Sequence, residues 1–218
     1  MSHDLTAWIR QLFVDPGLTG MGQAQRVEDL NLGLGWIYYG LARVARPQHV
    51  VVIGSYRGFA PLVFGRALAD NAEGGRVTFI DPSLVDDFWR DPASVKAHFA
   101  SHGLDNIDHH CMTTQQFAQS AARHEMGEIG TLLVDGYHSE EQARFDHEAF
   151  APLLGSRGYA LFHDSVRERS SVIYGDDKRY VHSVKNYVAE LRDDPAWEVL
   201  TLPFDAGLCV VRSAVAVS

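Results

Sequence analysis

The chain has 218 residues, of which 46% are hydrophobic, with a formal net charge of -9 at pH 7 and two cysteines. This length and apolar content predict a single domain over residues 1–218, and the negative charge argues against nucleic-acid and anionic-membrane partners. Two cysteines without CxxC spacing form no disulfide framework, and there is neither a secretion signal nor a stretch of ~20 apolar residues, so we expect a cytoplasmic protein.

Two amphipathic helices are predicted ahead of the first strand. Residues 4–13 place apolar side chains on one helical face, and residues 27–45 carry a second apolar stripe that Pro47 ends. Three glycines weaken the second helix. We expect residues 1–46 to form a helical cover over an α/β core at residues 47–213. A lid and a homodimer surface are the alternatives.

The first two predicted strands are followed by residues suited to a nucleoside. The strand His49–Ile53 runs into a glycine turn at residues 54–58, and a helix follows at residues 60–69. This order creates a pocket of backbone N–H groups at the positive end of a helix. The second strand, Arg76–Ile80, ends in Asp81, whose carboxylate can accept two hydrogen bonds from a ribose diol.

The spacing of the glycines separates two kinds of cofactor. A dinucleotide fingerprint needs G-x-G-x-x-G, and here only Gly54 and Gly58 are present. The phosphate-binding sequence Gly-Lys-Ser/Thr is absent as well. Without the middle glycine, a nucleoside without phosphates fits better than a pyrophosphate. An NAD-dependent oxidoreductase is therefore the disfavoured alternative.

Acidic residues end two further strands. Ile129–Val134 stops at Asp135, and a second apolar run at residues 159–162 is followed shortly by Asp164. Apolar runs of this length, separated by a helix, are typical of buried parallel strands joined by a right-handed crossover. Such a crossover brings both carboxylates to the carboxyl edge of the sheet, where open α/β sheets bind ligands.

The crossover helix and the remaining elements complete this pattern. The helix begins at a capping box, should bury Phe145, Ala149 and Leu153, and can end at Gly155. The other predicted elements are a helix at 93–102, a strand at 106–111, a helix at 181–191, and an antiparallel strand pair at 197–202 and 208–212. The polar segment 165–180 is long for a loop, and its basic residues either meet an anionic substrate or face solvent: Arg167, Arg169, Lys178 and Arg179.

Four stretches resemble class I S-adenosylmethionine-dependent methyltransferases: VVVIGSYRGFA, VTFIDPS, LLVDGYHSEEQARFDHEAFAPLLGSRGYALFHDS and AGLCVVR. They are most similar to the small O-methyltransferases that include macrolide-sugar and cephalosporin-tailoring enzymes. The most specific part is Asp-Gly-x-His-Ser-x-Glu with the later Phe-His-Asp. The resemblance implies a Rossmann-like three-layer sandwich with a seven-stranded, mostly parallel sheet and an antiparallel last strand. It also implies methylation of a hydroxyl on a small molecule.

The resemblance further assigns roles to individual residues. His138 matches a proposed general base. Asp135 and Asp164 match positions that often bind a divalent metal, with His163 as a further ligand candidate. The S-adenosylmethionine cofactor would be held by Gly54, Ser55, Tyr56, Gly58, Asp81, Met112, Thr113 and Asp135.

Two positions depart from the family pattern. Val52 stands where an acid usually precedes the glycine turn, and His163 stands where metal-dependent relatives often carry an acid. Magnesium prefers oxygen ligands, whereas a histidine suits Mn, Fe or Zn, so both a metal site and a metal-free site stay open. The two departures also leave open a catalytically silent, cofactor-binding protein.

Overall fold

A computed structural model of the chain describes residues 4–214, and these form eight α-helices and nine strands. The helices are α1 Leu5–Leu12, α2 Gly35–Ala45, α3 Phe59–Asn71, α4 Pro92–Ser101, α5 Thr114–Ala118, α6 Ala121–Glu125, α7 Glu140–Phe150 and α8 Val184–Asp193. The strands are β1 His49–Ile53, β2 Arg76–Ile80, β3 Ile107–His110, β4 Ile129–Val134, β5 Leu154–His163, β6 Arg169–Ser171, β7 Tyr180–His182, β8 Trp197–Leu202 and β9 Leu208–Ser213. Among the described residues, no helix is both long and apolar enough to cross a lipid bilayer.

Seven of the strands form one central sheet in the order β3-β2-β1-β4-β5-β9-β8. Neighbours from β3 to β5 pair in parallel, whereas β9 is antiparallel to both β5 and β8. The predicted sheet with an antiparallel last strand is therefore confirmed. The short strands β6 and β7 form a separate antiparallel hairpin.

The sheet is buried on both faces, as its continuous apolar strands predict. In β1, Val50 and Val52 belong to one apolar cluster, which also takes side chains from α1 to α4. Val51 and Ile53 belong to the other cluster, which takes side chains from α5, α7 and α8. Alternation along each strand thus separates two layers of helices, and the expected three-layer sandwich is confirmed.

The register of the central strands brings their carboxyl ends to one level. The last paired positions are Ile53 with Ile80, Ile53 with Val134, and Val134 with Phe162. The next amides continue this order, because Gly54 N donates to the Ile80 carbonyl and Asp135 N donates to the Ile53 carbonyl, each at 2.8 Å. Gly54, Asp81 and Asp135 therefore lie along one edge of the sheet.

The second helix is shorter than predicted. It begins at Gly35, whereas residues 27–34 form a loop with positive φ at Leu30 (59°) and Gly33 (58°). A Cβ on Gly33 would collide with the Gln23 carbonyl oxygen, so the backbone of this loop packs against an earlier segment. Some of the apolar side chains of this stripe are buried, as predicted. The prediction of a helix at residues 27–34 was wrong.

The buried face of α7 also differs from the prediction. Phe145, expected in the core, is 36% exposed, and Asp146 and His147 are buried instead. Both polar side chains have partners inside: Gln142 Nε2 donates to Asp146 Oδ1 at 2.6 Å, and His147 Nδ1 lies 2.8 Å from the Tyr187 hydroxyl. A pattern based on apolar residues misses a helix face whose polar groups are paired.

Two predicted boundaries move as well. Gly155 lies inside β5 instead of ending the crossover helix, because α7 stops at Phe150 and a short 3₁₀ turn leads directly into the strand. The predicted helix at 181–191 begins only at Val184, because the preceding residues pair with β6 as strand β7.

We expect Gly40→Ala to stabilise the protein. Gly40 lies in the interior of α2, and an added Cβ would meet nothing within 4 Å. Alanine is favoured over glycine inside helices, so the free energy of unfolding should rise by roughly 0.5–1 kcal/mol in chemical denaturation. Gly35→Ala is the control, because its Cβ would lie 2.8 Å from the Phe59 ring and should give no such gain. A loss of stability in the Gly40 variant would contradict the open space described here.

Candidate active site

A cavity of about 660 Å³ lies over the carboxyl edge of the sheet. This volume is typical of sites for small ligands. Its walls come from the loops after β1, β2, β3 and β4, two residues of α7, the segment at residues 17–23, and the β6–β7 hairpin. The amino-terminal region therefore does more than cover the sheet, because it also closes one side of the cavity.

The turn after β1 is tightly constrained. Gly54 has a φ of +71°, and a Cβ there would lie 2.5 Å from the Asp135 carbonyl oxygen. Tyr56 adopts a φ of +46°, which is strained for a residue with a side chain. Ser55 Oγ accepts a hydrogen bond from the Ala60 amide at 3.1 Å and so fixes the turn to the start of α3. The turn presents its backbone to the cavity in one defined shape.

Asp81 follows β2 and lines the same cavity. Its Oδ1 accepts a hydrogen bond from the Ser83 amide at 2.8 Å. Burial raises the pKa of Asp81 to about 6, although backbone hydrogen bonds from Ser83 and Ser55 act in the opposite direction. The side chain is therefore an ionised hydrogen-bond acceptor at neutral pH, and it becomes protonated under mildly acidic conditions.

Most of the residues proposed to bind the cofactor are brought together here. The following line the cavity: Gly54, Ser55, Tyr56, Asp81, Thr113 and Asp135. Gly58 and Met112 are not part of this lining. Gly58 is the N-cap of α3 and lies against the Trp89 ring, and Met112 packs against the second apolar layer.

Beside the glycine turn lies a group that we call the acid–imidazole cluster: Asp135, His138, His163, Asp164 and His182. In this cluster the His163 ring is held between two oxygens. His163 Nδ1 is 2.7 Å from Asp135 Oδ1, and His163 Nε2 is 3.0 Å from the Gly22 carbonyl oxygen. Burial alone would lower the pKa of His163, but the Asp135 and Asp164 carboxylates raise it to about 9. The two carboxylates therefore favour the protonated form of this buried ring.

Asp164 has its own cationic partner. Arg169 Nε donates to Asp164 Oδ2 at 3.1 Å, and His182 Nδ1 is 2.8 Å from the same oxygen. Burial raises the pKa of Asp164, but the His182 hydrogen bond and the charges of its neighbours outweigh this and hold the pKa well below its usual range. Asp164 is thus an ionised carboxylate whose position is fixed by Arg169 and His182.

His138 lies between the two carboxylates on the cavity side. Its Nε2 is 3.9 Å from Asp135 Oδ1 and 3.8 Å from Asp164 Oδ2, and its ring stacks on His182 with centroids 4.5 Å apart. Burial lowers the pKa of His138 to about 4, even though both carboxylates act to raise it. At neutral pH the ring is uncharged and has a free lone pair.

The cluster contains atoms of the types that bind metals, so its fit to a divalent ion needs a test. Two sets of three have such atoms within 4.8 Å of one another: Asp135 with His138 and His163, and His138 with Asp164 and His182. However, a metal ligand needs a free lone pair, and both nitrogens of His163 face oxygens. The Asp164 carboxylate is already paired with Arg169. The pair of carboxylates with His163 between them therefore does not fit the divalent ion of metal-dependent relatives.

Sequence reasoning missed several residues at this site. His182 was placed in a helix, and Arg169 was assigned to a substrate or to solvent instead of Asp164. Gln23 was not considered, although its Nε2 is 3.3 Å from Asp135 Oδ2. The unusual length of segment 165–180 was the available signal, since long connections in compact domains often carry function.

Three tyrosines form an aromatic wall on the open side of the cavity. The Tyr137 ring stacks on Tyr180 with centroids 4.5 Å apart and on Tyr174 at 5.6 Å. All three residues line the cavity, and the wall begins directly next to His138. Stacked rings of this kind offer a flat apolar surface to a ligand.

Comparison with known proteins identifies the family. Residues 51–165 match the sequence family described as a methyltransferase domain, which is more than half of the chain. The chain belongs to this methyltransferase family. The predicted membership is thereby confirmed, and nothing found supports the NAD-dependent alternative. No curated protein gives a significant match to the methyltransferase.

Solved structures show the same fold at low sequence identity. The methyltransferase PaMTH1 of Podospora anserina, solved with SAH bound, is 18% identical, with 95% of this chain and 85% of that chain covered and a TM-score of 0.59. The O-methyltransferase TomG of Streptomyces achromogenes, in complex with SAM, is 14% identical, with 98% and 91% covered and a TM-score of 0.64. An O-methyltransferase from Bacillus cereus, in complex with SAH, is 14% identical, with 98% and 92% covered and a TM-score of 0.65.

Proposed function

We propose that this methyltransferase transfers the methyl group of S-adenosylmethionine (SAM) to a hydroxyl oxygen of a small molecule. The observation that carries the proposal is the position of His138, an uncharged imidazole flanked by two carboxylates on the cavity of the glycine turn. TomG and the Bacillus cereus protein, which share the fold, are O-methyltransferases in complex with SAM and SAH.

The cavity wall suits the parts of SAM in order. The turn at residues 54–56 would hold the methionine part, Asp81 would accept hydrogen bonds from the ribose, and Thr113 would flank the adenine. SAM supplies a methyl group on a positively charged sulfur. Asp81 and Asp135, both on this wall, favour a cationic ligand electrostatically.

His138 would act on the acceptor. A hydroxyl attacks poorly while it is protonated, and the free lone pair of His138 can take its proton as the oxygen attacks the methyl carbon. The imidazolium formed would then lie 3.9 Å from Asp135 Oδ1 and 3.8 Å from Asp164 Oδ2, which stabilises its charge. The stacking contact with His182 keeps the ring from turning away.

The acceptor would bind against the aromatic wall. A flat hydroxylated compound stacked on the exposed Tyr137 ring would lie close to His138, the next residue in the chain, without the need for a charged partner. The homodimer, the cytoplasmic location and the absence of nucleic-acid partners remain predictions.

Two measurements test this function. Calorimetry should show binding of SAM and SAH but not of NAD(H). Incubation with methyl-labelled SAM and a panel of phenols, sugars and carboxylic acids should label a hydroxylated compound and release SAH. Binding of NAD(H) alone would overturn the proposal, and SAM binding without transfer to any acceptor would support the catalytically silent alternative.

We expect the affinity for SAM to weaken under mildly acidic conditions. The ribose needs the ionised form of Asp81, which is present above its pKa of about 6 and is lost as the pH falls through that value. Between pH 7 and pH 5 the dissociation constant should therefore increase roughly tenfold in calorimetry. Asp81→Asn removes the titrating group, so this variant should bind weakly at both pH values. An unchanged affinity of the native protein at pH 5 would contradict this assignment.

A further inference from the structure

We propose that His163 and Arg169 take the place of a divalent metal ion as the partners of the two carboxylates of the site. The methyl transfer would then be independent of metal. This inference rests on the proposed function, since it names the groups that hold the two carboxylates beside His138. His163 and Arg169 act as positioning residues, because they contact Asp135 and Asp164 and not the substrate.

The space between the two carboxylates is already filled. A divalent ion shared by Asp135 and Asp164 would lie about 2.0–2.6 Å from an oxygen of each. The His163 ring already lies there, with Nδ1 2.7 Å from Asp135 Oδ1 and 3.6 Å from Asp164 Oδ1. At this position between the two Oδ1 atoms, an ion could enter only if the ring moved out.

The His163 ring is also closely packed on its other side. His163 is 1% exposed, and its Nε2 lies 3.0 Å from the Gly22 carbonyl oxygen on the far side. A Cβ added to Gly22 would already be 3.0 Å from the ring carbon Cε1, so the loop at Gly22 packs closely against the ring. The glycine loop and the carboxylate fix the imidazole from opposite sides.

The partners of the two carboxylates also oppose a bound ion. Asp135 lies against the His163 imidazole, and Asp164 is paired with the Arg169 guanidinium. A divalent cation bound to Asp164 would have to share that carboxylate with the Arg169 guanidinium, and two cationic groups so close together in a largely buried cluster repel each other. Each carboxylate therefore already has a nitrogen partner from this chain.

The experiment compares the native protein with His163→Asp, which removes the imidazole and adds a third carboxylate. The native protein, dialysed against EDTA, should keep its transfer rate, contain no stoichiometric metal by mass spectrometry and show no thermal shift with Mg²⁺ or Mn²⁺. The metal-free variant should lose transfer roughly tenfold or more, and Mn²⁺ or Mg²⁺ should restore activity and raise its melting temperature. His124→Asp, at an exposed position, is the matched control and should behave as the native protein does.

Several results would overturn the inference. One is a native protein that retains stoichiometric metal or needs it for transfer; another is a folded His163→Asp variant that gains no response to metal. If that variant does not fold, the metal content and thermal shift of the native protein decide the question alone. Both readouts are independent of catalysis, so a native protein that binds no SAM would reject the proposed function while the metal measurements still stand.

Discussion

His138→Gln is expected to reduce the rate of methyl transfer by roughly 10²–10⁴-fold, the usual contribution of a positioned general base. The glutamine amide keeps approximately the size of the imidazole but cannot accept a proton at neutral pH. The carboxylates at 3.8–3.9 Å cannot replace it, because each is already engaged with another side chain, Asp135 with His163 and Asp164 with Arg169. The loss should appear in the initial rate of SAH formation at saturating SAM.

The affinity for SAM separates a catalytic effect from a structural one. His138→Gln should bind SAM as the native protein does in calorimetry, because the proposed role of His138 is on the acceptor and not on the cofactor. His124→Gln, at an exposed position, controls for the general effect of replacing a histidine. If the His138 variant retained most of its transfer rate, another group would have to accept the proton.

Gly54→Ala is the second substitution with a large expected effect. An alanine at a φ of +71° is strained, and its Cβ would lie 2.5 Å from the Asp135 carbonyl oxygen and collide with Gly136 Cα. Strain and overpacking together should lower the free energy of unfolding by roughly 2–5 kcal/mol in urea denaturation. The loops after β1 and β4 would also separate, so SAM binding should be lost in calorimetry.

Gly74→Ala distinguishes the two causes. Gly74 has nearly the same φ, +73°, but an added Cβ would meet nothing within 4 Å. This variant should lose only the strain contribution, roughly 1–2 kcal/mol, and should bind SAM normally. Equal losses in the two variants would show that the close approach of the two loops is unimportant.

The parts of the fold that the sequence predicts well are those determined by local patterns. The bounds of three strands are as predicted, His49–Ile53, Arg76–Ile80 and Ile129–Val134, because a buried parallel strand requires a continuous apolar run. The residues directly after these strands could be placed at one edge for the same reason, since parallel strands end together. Asp81 and Asp135 follow from this argument without any knowledge of their contacts.

The parts that the sequence does not predict depend on specific contacts that an apolar pattern does not reveal. The second helix begins only after Gly33, because the backbone at Gly33 packs against Gln23, a contact that the periodicity cannot show. Asp146 faces inward because Gln142 supplies a hydrogen bond to it. His182 reaches Asp164 only through the β6–β7 hairpin, whose short strands lack an apolar alternation.

The strands and the tip of the β6–β7 hairpin contact different parts of the site, and this affects how the specificity of the enzyme could change. The strands β6 and β7 carry Arg169 and His182, which hold Asp164, whereas Tyr174 lies in the connection between them. An exchange of residues 172–179 would therefore reshape the aromatic wall and leave Arg169 and His182 in contact with Asp164. Evolution or engineering could replace this tip as a separate module and retain the same methyl-transfer chemistry.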